Sequence, residues 1–256
     1  MDSKLIDLGC TVKYPSRFHL EDIKNNGFTI IKNYIENKWL LDLRDVFEYL
    51  IEKEGPKAGS EVHQVKGARR LADLVNKGKV FDKMYLDPML LTTVYSVIQQ
   101  PFKLSSLNGH EPEKCFGKQE LHADWPKAND GSYYVVNSIW MLDDFSISNG
   151  ATRVIPKSHK ILGKVEDHIK DRLADHPDEV HIEGNAGDLI IFNGHLWHGC
   201  STNKTGKHRR AFHCYFTSRN QPQQTDQRKF IREDTKKRLS PLAKYILDIE
   251  KVFLIY

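Results

Sequence analysis

The second half of this chain alternates short apolar runs with turn signals, and that rhythm restricts the fold more than any other feature of the sequence. Segments at about 102–108, 117–124, 133–143, 150–155, 179–183, 187–193 and 209–217 read as strands, punctuated by Asn129-Asp130-Gly131, Ser148-Asn149-Gly150 and Asn185-Ala186-Gly187. Strands this short and this regularly spaced suggest a sandwich or a jelly roll closed on itself.

The first 100 residues read differently. A short helix and the strand Gly27 to Lys32 come first; a helix then starts at Asn37 as N-cap, with Leu40, Leu43, Phe47, Leu50 and Ile51 on one face, and stops at Gly55-Pro56. Residues 56–66 are a polar loop with a solvent-facing His63, and helical patterns return from Arg69 to Gln99 with a break at Lys77-Gly78. Residues 160–178 form a charged, partly helical insertion, either a solvated excursion or a lid over the open end. The tail from Thr225 is helical, with Ser240-Pro241 as a start signal. Its face of Leu242, Tyr245, Ile246, Ile249 and Val252 docks on the core or on a second copy, which would make a homodimer. The expected architecture is a single α+β domain over 1–256. Its core (101–220) is a double-stranded β-helix, a jelly roll of cupin type, with the mostly helical 1–100 and the tail 221–256 packed on it.

Composition excludes several classes. The apolar fraction of 39% and charged fraction of 28% suit a soluble protein, and the net charge of +4 is spread along the chain. The basic cluster Lys204, Lys207, His208, Arg209 and Arg210 runs into a predicted strand that turns half its charges inward, so no nucleic-acid partner is expected. Cys10, Cys115, Cys200 and Cys214 have no C-x-x-C spacing, as in a reduced, cytoplasmic protein. No run approaches the roughly 18 apolar residues of a membrane span, and the N-terminus lacks the apolar core of a signal peptide.

The chemistry concentrates in two places, Leu121-His122-Ala123-Asp124-Trp125 and the stretch from Phe192 to Arg210. On an extended strand the side chains at i and i+2 point the same way, about 7 Å apart at Cα, so His122 and Asp124 can share one small metal ion. A third ligand from a distant strand would complete two histidines and a carboxylate, a set that leaves one face of the ion open. His198 and His195 compete for that place; three residues apart on a strand, they face opposite sides.

These motifs, with Asn149-Gly150-Ala151-Thr152-Arg153-Val154-Ile155-Pro156-Lys157-Ser158-His159, and with Asn203 and Arg209 after His198-Gly199, resemble the phytanoyl-CoA dioxygenase family of Fe(II)- and 2-oxoglutarate-dependent oxygenases. The resemblance covers about residues 17 to 220 and implies Fe(II) on His122, Asp124 and His198. It further implies 2-oxoglutarate chelating the iron, O2 as third reactant, and release of succinate and CO2 as a small organic substrate is oxidised. Arg209 would clamp the distal carboxylate in a bidentate pair, and Trp140 would wall the co-substrate pocket, although a plain core tryptophan is the competing reading. Asp124 fills the position that halogenase relatives free for a halide, which favours hydroxylation or desaturation. Cys200 stands where many relatives carry a hydroxyl, which moves that role to Ser201, and Lys157 stands where the family often has glycine. Asn108 is a further co-substrate candidate by strand position. Glu120 by parity, Trp125 at the pocket edge and His213 on the Arg209 face are substrate candidates, whereas Arg210 alternates outward into solvent. Two other classes share the ligands: a cupin-like hydrolase or isomerase in which Arg209 is dispensable, and a non-catalytic jelly-roll binding module.

Overall fold

The computed structural model describes residues 2–249 of the chain. In order it has α1 (Ser3–Asp7), α2 (Arg17–Asn26), β1 (Phe28–Ile31), α3 (Asn37–Glu54), β2 (Ala68–Leu71), α4 (Asp82–Tyr85) and α5 (Pro88–Ile98). The strands β3 (Phe102–Pro112), β4 (Val135–Met141), β5 (Thr152–Val154), β6 (Val180–Ile182), β7 (Leu189–Asn193), β8 (His198–Cys200) and β9 (Ala211–Ser218) follow. Short helices α6 (Gln227–Phe230), α7 (Glu233–Arg238) and α8 (Pro241–Ile246) complete the described part. Val252, assigned above to the apolar face of the tail, lies outside the described residues.

Two antiparallel sheets face each other as a jelly roll, a larger one in the order β1-β7-β4-β9-β3-β2 and a smaller one in the order β6-β5-β8. The central strands of the larger sheet are covered on both sides, and their alternation sorts the residues between two cores. Val136, Trp140, Leu189, Ile191, Phe212, Cys214 and Phe216 join Leu43, Phe47 and Leu90 in the core beneath the helices. Ile139, Met141, Ile190, Phe192 and Ala211 point the other way and close the space between the sheets with Val154 and Ile182. This is why Leu189-Ile190-Ile191-Phe192 reads as one unbroken apolar run.

Local signals place the helices. Asp87 accepts from the Leu90 amide with Pro88 in the first turn, and Ser240 accepts from the Ala243 amide with Pro241 following. The α3 face is as expected, although Glu36 rather than Asn37 is the N-cap and makes no side-chain cap bond.

Three expectations give way. Ala68–Leu71, expected at the start of a helix, is an edge strand paired with β3. The expected strand at 117–124 shrinks to a single bridge between His122 and His198, because β8 has only three residues to pair with. The insertion 160–178 carries short 3-10 turns and no α-helix.

That insertion is tied down from below. Arg153 on β5 is 1% exposed; NH1 donates to the carbonyl of Ala174 and to Glu179, and NH2 to the carbonyls of Gln119 and Arg172. One guanidinium thus links the insertion to the segment that leads into His122. Arg153→Met is expected to destabilise the fold by about 3 kcal/mol, since it takes the buried cationic partner from Glu179 and one hydrogen bond from each of three carbonyls. Urea unfolding measures this, and a change below about 1 kcal/mol would show that the links are dispensable.

Candidate active site

His122 and His198 are brought together by backbone as well as side chains. The His122 amide donates to the His198 carbonyl at 2.9 Å and the His198 amide returns the bond at 2.8 Å. Gly199 makes this crossing fit: a Cβ there would meet the carbonyl oxygens of Gln119 at 3.1 Å and Glu120 at 3.2 Å. Each imidazole is oriented by its own loop, with His122 Nδ1 2.9 Å from the Glu120 carbonyl oxygen and His198 Nδ1 2.8 Å from that of Leu196. In both rings Nδ1 must donate to that carbonyl, which leaves Nε2 as the lone-pair face. Asp124 Oδ1 lies 3.8 Å from His198 Nε2, and Asn137 Nδ2 donates to Asp124 Oδ2 at 3.3 Å. Ligand atoms of His122, Asp124 and His198 all fall within 4.8 Å of one another.

Glu48, Glu111 and His208 meet the same distance criterion elsewhere. Their carboxylates are already bonded to Arg69 and Arg210, and His208 Nδ1 sits 2.6 Å from Glu111. That cluster is an ion-pair network on the outside of the sheet. Arg210 belongs to it, only 9% exposed and paired with Asp143 and Glu48, so its expected solvation is corrected. Burial pushes the Asp143 carboxyl up, but the bonds from Arg210 win and hold it below the ordinary aspartate value.

These three side chains open onto a cavity of about 490 Å³ between the sheets. Ile139 and Asn137 of β4, His213 and Tyr215 of β9, and Ser106 and Asn108 of β3 face it from the larger sheet. Thr152, His198 and Cys200 face it from the smaller one. Behind Thr152 lies Arg209, fully buried, with NH2 donating to Thr152 Oγ1 at 2.9 Å and the guanidinium carbon 4.0 Å from the Phe145 ring centroid. Its Nε and NH1 are buried and have no partner among the described residues. A desolvated guanidinium with two free donors calls for an anion. His213 cannot serve, since burial and then the nearby Arg209 and Arg70 charges lower its pKa to about 3 and keep it neutral.

Of the remaining candidates, Asn108, Trp125 and His213 line the cavity. Trp140 does not. It is on the opposite parity of β4, in the core beneath the helices, with its ring centroid 5.5 Å from that of Trp39. Glu120 also points away and pairs with Arg172 at the surface, because the single bridge at His122 ends the alternation on which its parity rested. Gln119 lines the wall in its place. Cys200, not Ser201, lines the cavity; its odd neighbour turns off the inner face and its amide bonds Ala151. Asn137 was missed, although a lone amide in the apolar run Val135 to Met141, two residues from Ile139, marks an inward polar position. Thr152, Arg70, His110 and Gln224 were missed as well.

His195, the rival ligand, is buried behind the site. Its Nε2 accepts from the Tyr134 amide at 3.0 Å, which only an unprotonated Nε2 can do. Burial lowers the pKa of His195 to about 4, and that of His159 likewise. Both folded values lie below the unfolded value near 6.5, so the unfolded chain binds more protons between the two. Stability is therefore fully present above about pH 6.5 and is lost as the pH falls toward 4, by about 3 kcal/mol per histidine. His195→Gln should flatten the pH dependence of urea unfolding between pH 7 and 4.5; an unchanged slope would remove His195 from the account.

The sequence profile of the family described as Phytanoyl-CoA dioxygenase (PhyH) matches residues 23–211. The chain belongs to that family. An uncharacterized protein of Mycobacterium tuberculosis is 31% identical over 141 residues, 55% of this chain and 50% of that protein. Dioxygenase af480 of Aspergillus fumigatus is 26% identical over 175 residues, 66% of this chain and 55% of its own length. The chain thus spans about half the length of these curated relatives. HygX from Streptomyces hygroscopicus, solved with nickel and 2-oxoglutarate bound, has a TM-score of 0.67 at 20% identity, over 82% of this chain and 90% of HygX. The non-heme alpha ketoglutarate dependent carbocyclase SnoK from nogalamycin biosynthesis has a TM-score of 0.63 at 18% identity, over 81% of this chain and 87% of SnoK. Both likenesses are of fold, and they agree with the jelly-roll core.

Proposed function

We propose that the protein is an Fe(II)- and 2-oxoglutarate-dependent oxygenase that hydroxylates an unactivated C–H bond of a small organic molecule. The observation that carries this reading is Arg209, buried with two free donors directly behind Thr152, which lines the cavity that His122, Asp124 and His198 share. The ligand set fits iron, and Arg209 with Thr152 fits the distal carboxylate of the co-substrate. Bound iron and 2-oxoglutarate would supply O2-driven C–H oxidation with release of succinate and CO2. The chain's own part is to orient and to exclude water. The Leu196 and Glu120 carbonyls fix the imidazoles, Asn137 holds the Asp124 carboxylate, and Ile139 and Phe192 keep the inner wall apolar.

Family membership does not extend to the outcome or to the substrate. Relatives of this fold include an epimerase and a carbocyclase; Asp124, by filling the position a halide would take, favours hydroxylation or desaturation over chlorination. A long acyl chain is not favoured, since histidine, asparagine, glutamine and serine side chains make up much of the cavity wall. No helix among the described residues is long and apolar enough to cross a membrane. The four unpaired cysteines favour a reducing, cytoplasmic setting.

The test is anaerobic addition of Fe(II) and then 2-oxoglutarate to metal-free protein, watched for the visible charge-transfer band of a chelated 2-oxoacid. A band confirms the cofactor pair. Bound metal without a band points to the cupin-like hydrolase or isomerase, and no metal binding to a non-catalytic jelly roll.

A further inference from the structure

Strand β2 carries two adjacent arginines with opposite surroundings. Arg69 points out of the jelly roll and is saturated by Glu48 and Glu111. Arg70, one residue on and therefore on the other face, sits opposite His110 and lines the cavity at the edge of the larger sheet. It makes no ion pair among the described residues. Its NH1 is 2.9 Å from His63 Nε2, and its Nε is buried without a partner. His63, expected to be solvent-facing, is exposed and also lines this end of the cavity.

Three other residues of the same wall carry an unpaired buried atom: Asn108 Oδ1, Asn137 Oδ1 and His213 Nε2. The asparagine orientations follow from their bonded ends. Asn137 Nδ2 donates to Asp124, and Asn108 Nδ2 to Ser106 Oγ and Gln224 Oε1, which leaves both oxygens as free acceptors. Unmet polar atoms are uncommon in folded proteins, and when they gather around one cavity they describe what enters it.

We propose that Arg70 is the substrate-anchoring residue and that the substrate is a small polar acid, whose oxyanion pairs with Arg70 while hydroxyl or amine donors meet Asn108 and Asn137. This rests on the oxygenase reading, which assigns the one distal carboxylate of 2-oxoglutarate to Arg209. The two arginines belong to different ligands because they are reached from different places. Arg209 is enclosed beside Thr152, just ahead of β9, whereas Arg70 is on the edge strand, two strands away in the order β9-β3-β2.

The test uses full-length protein loaded with Zn(II) and 2-oxoglutarate. Its unfolding temperature is screened against small hydroxy acids and amino acids paired with their carboxamides, and against phosphate esters paired with their parent alcohols. Binders are expected among the charged members, and the two series tell a carboxylate from a phosphate. For the best binder, calorimetry should show affinity at least about tenfold weaker in Arg70→Gln and largely kept in Arg70→Lys. The affinity for 2-oxoglutarate should be unchanged in both variants, which also shows that they fold. The proposal is overturned if neutral partners bind as well as the acids, if Arg70→Gln leaves the affinity unchanged, or if that variant loses 2-oxoglutarate. Failure of the wild type to bind 2-oxoglutarate would instead overturn the oxygenase reading, and it is seen before any substrate is added.

Discussion

Replacing Arg209 by leucine is expected to weaken 2-oxoglutarate binding by two to three powers of ten while leaving the ligand-free protein at least as stable as before. The guanidinium is fully buried, is held by one bond to Thr152 Oγ1 and by the Phe145 ring, and has two donors unmet. Removing one partner of a buried, hydrogen-bonded charge pair costs about 3–5 kcal/mol, and each 1.4 kcal/mol is about a factor of ten. In the empty site the same desolvated charge works against folding, so leucine relieves a cost there. Lysine should not rescue, because it cannot present a planar pair of donors to a carboxylate. The measurement is the unfolding temperature of Zn(II)-loaded protein with and without 2-oxoglutarate. A ligand at about a hundred times its Kd stabilises the folded state by about 2.7 kcal/mol, so the wild type should rise clearly and Arg209→Leu should not. A variant that still rises would exclude Arg209 as the clamp, whereas a wild type that does not rise would favour a metalloenzyme that uses no 2-oxoacid.

Much of this site was legible because its chemistry needs particular residues in order along the chain. His122, Asp124, His198 and Arg209 stand out as types, and the regular strands after Phe102 supply a fold that can gather them. What the sequence did not yield has two physical sources. Parity arguments hold only where a ladder continues. They worked for His213, on a strand of eight residues, and failed for Glu120 beside an isolated bridge; Ser201, chosen only as the hydroxyl next to Cys200, falls just past the three-residue β8. The second source is strands buried on both faces. Trp140 and Ile139 are both apolar and both enclosed, so the pattern cannot say which one faces the cavity.

Lys157 shows a different limit. It stands where the resemblance implies glycine, and its backbone is left-handed with φ of 70°, a conformation that glycine adopts without strain. The insertion 160–178 read as either a solvated excursion or a lid, and neither reading foresaw that it is tied through Arg153, because a buried arginine whose partners are mostly carbonyls leaves no signature in the sequence.

His198→Ala is expected to lower Fe(II) affinity more than a hundredfold, whereas His195→Gln should leave it nearly unchanged. Strand position alone left the two histidines in competition and the resemblance implied His198; the structure separates them by what each ring has left to offer. His198 uses Nδ1 on the Leu196 carbonyl and keeps Nε2 toward Asp124; His195 has its Nε2 occupied by the Tyr134 amide. Removing a ligand must cost more than removing the group that orients one, which is worth about 10–100-fold in metal affinity. Asn137→Ala, which frees the Asp124 carboxylate, should therefore fall between the two. Anaerobic Fe(II) titration of the three variants gives the order directly. If His195→Gln lost the metal and His198→Ala retained it, the ligand set would be wrong and the cavity would have to be reassigned around Tyr134. If all three bound iron as the wild type does, the His122, Asp124 and His198 cluster would be a packed polar contact and no metal site.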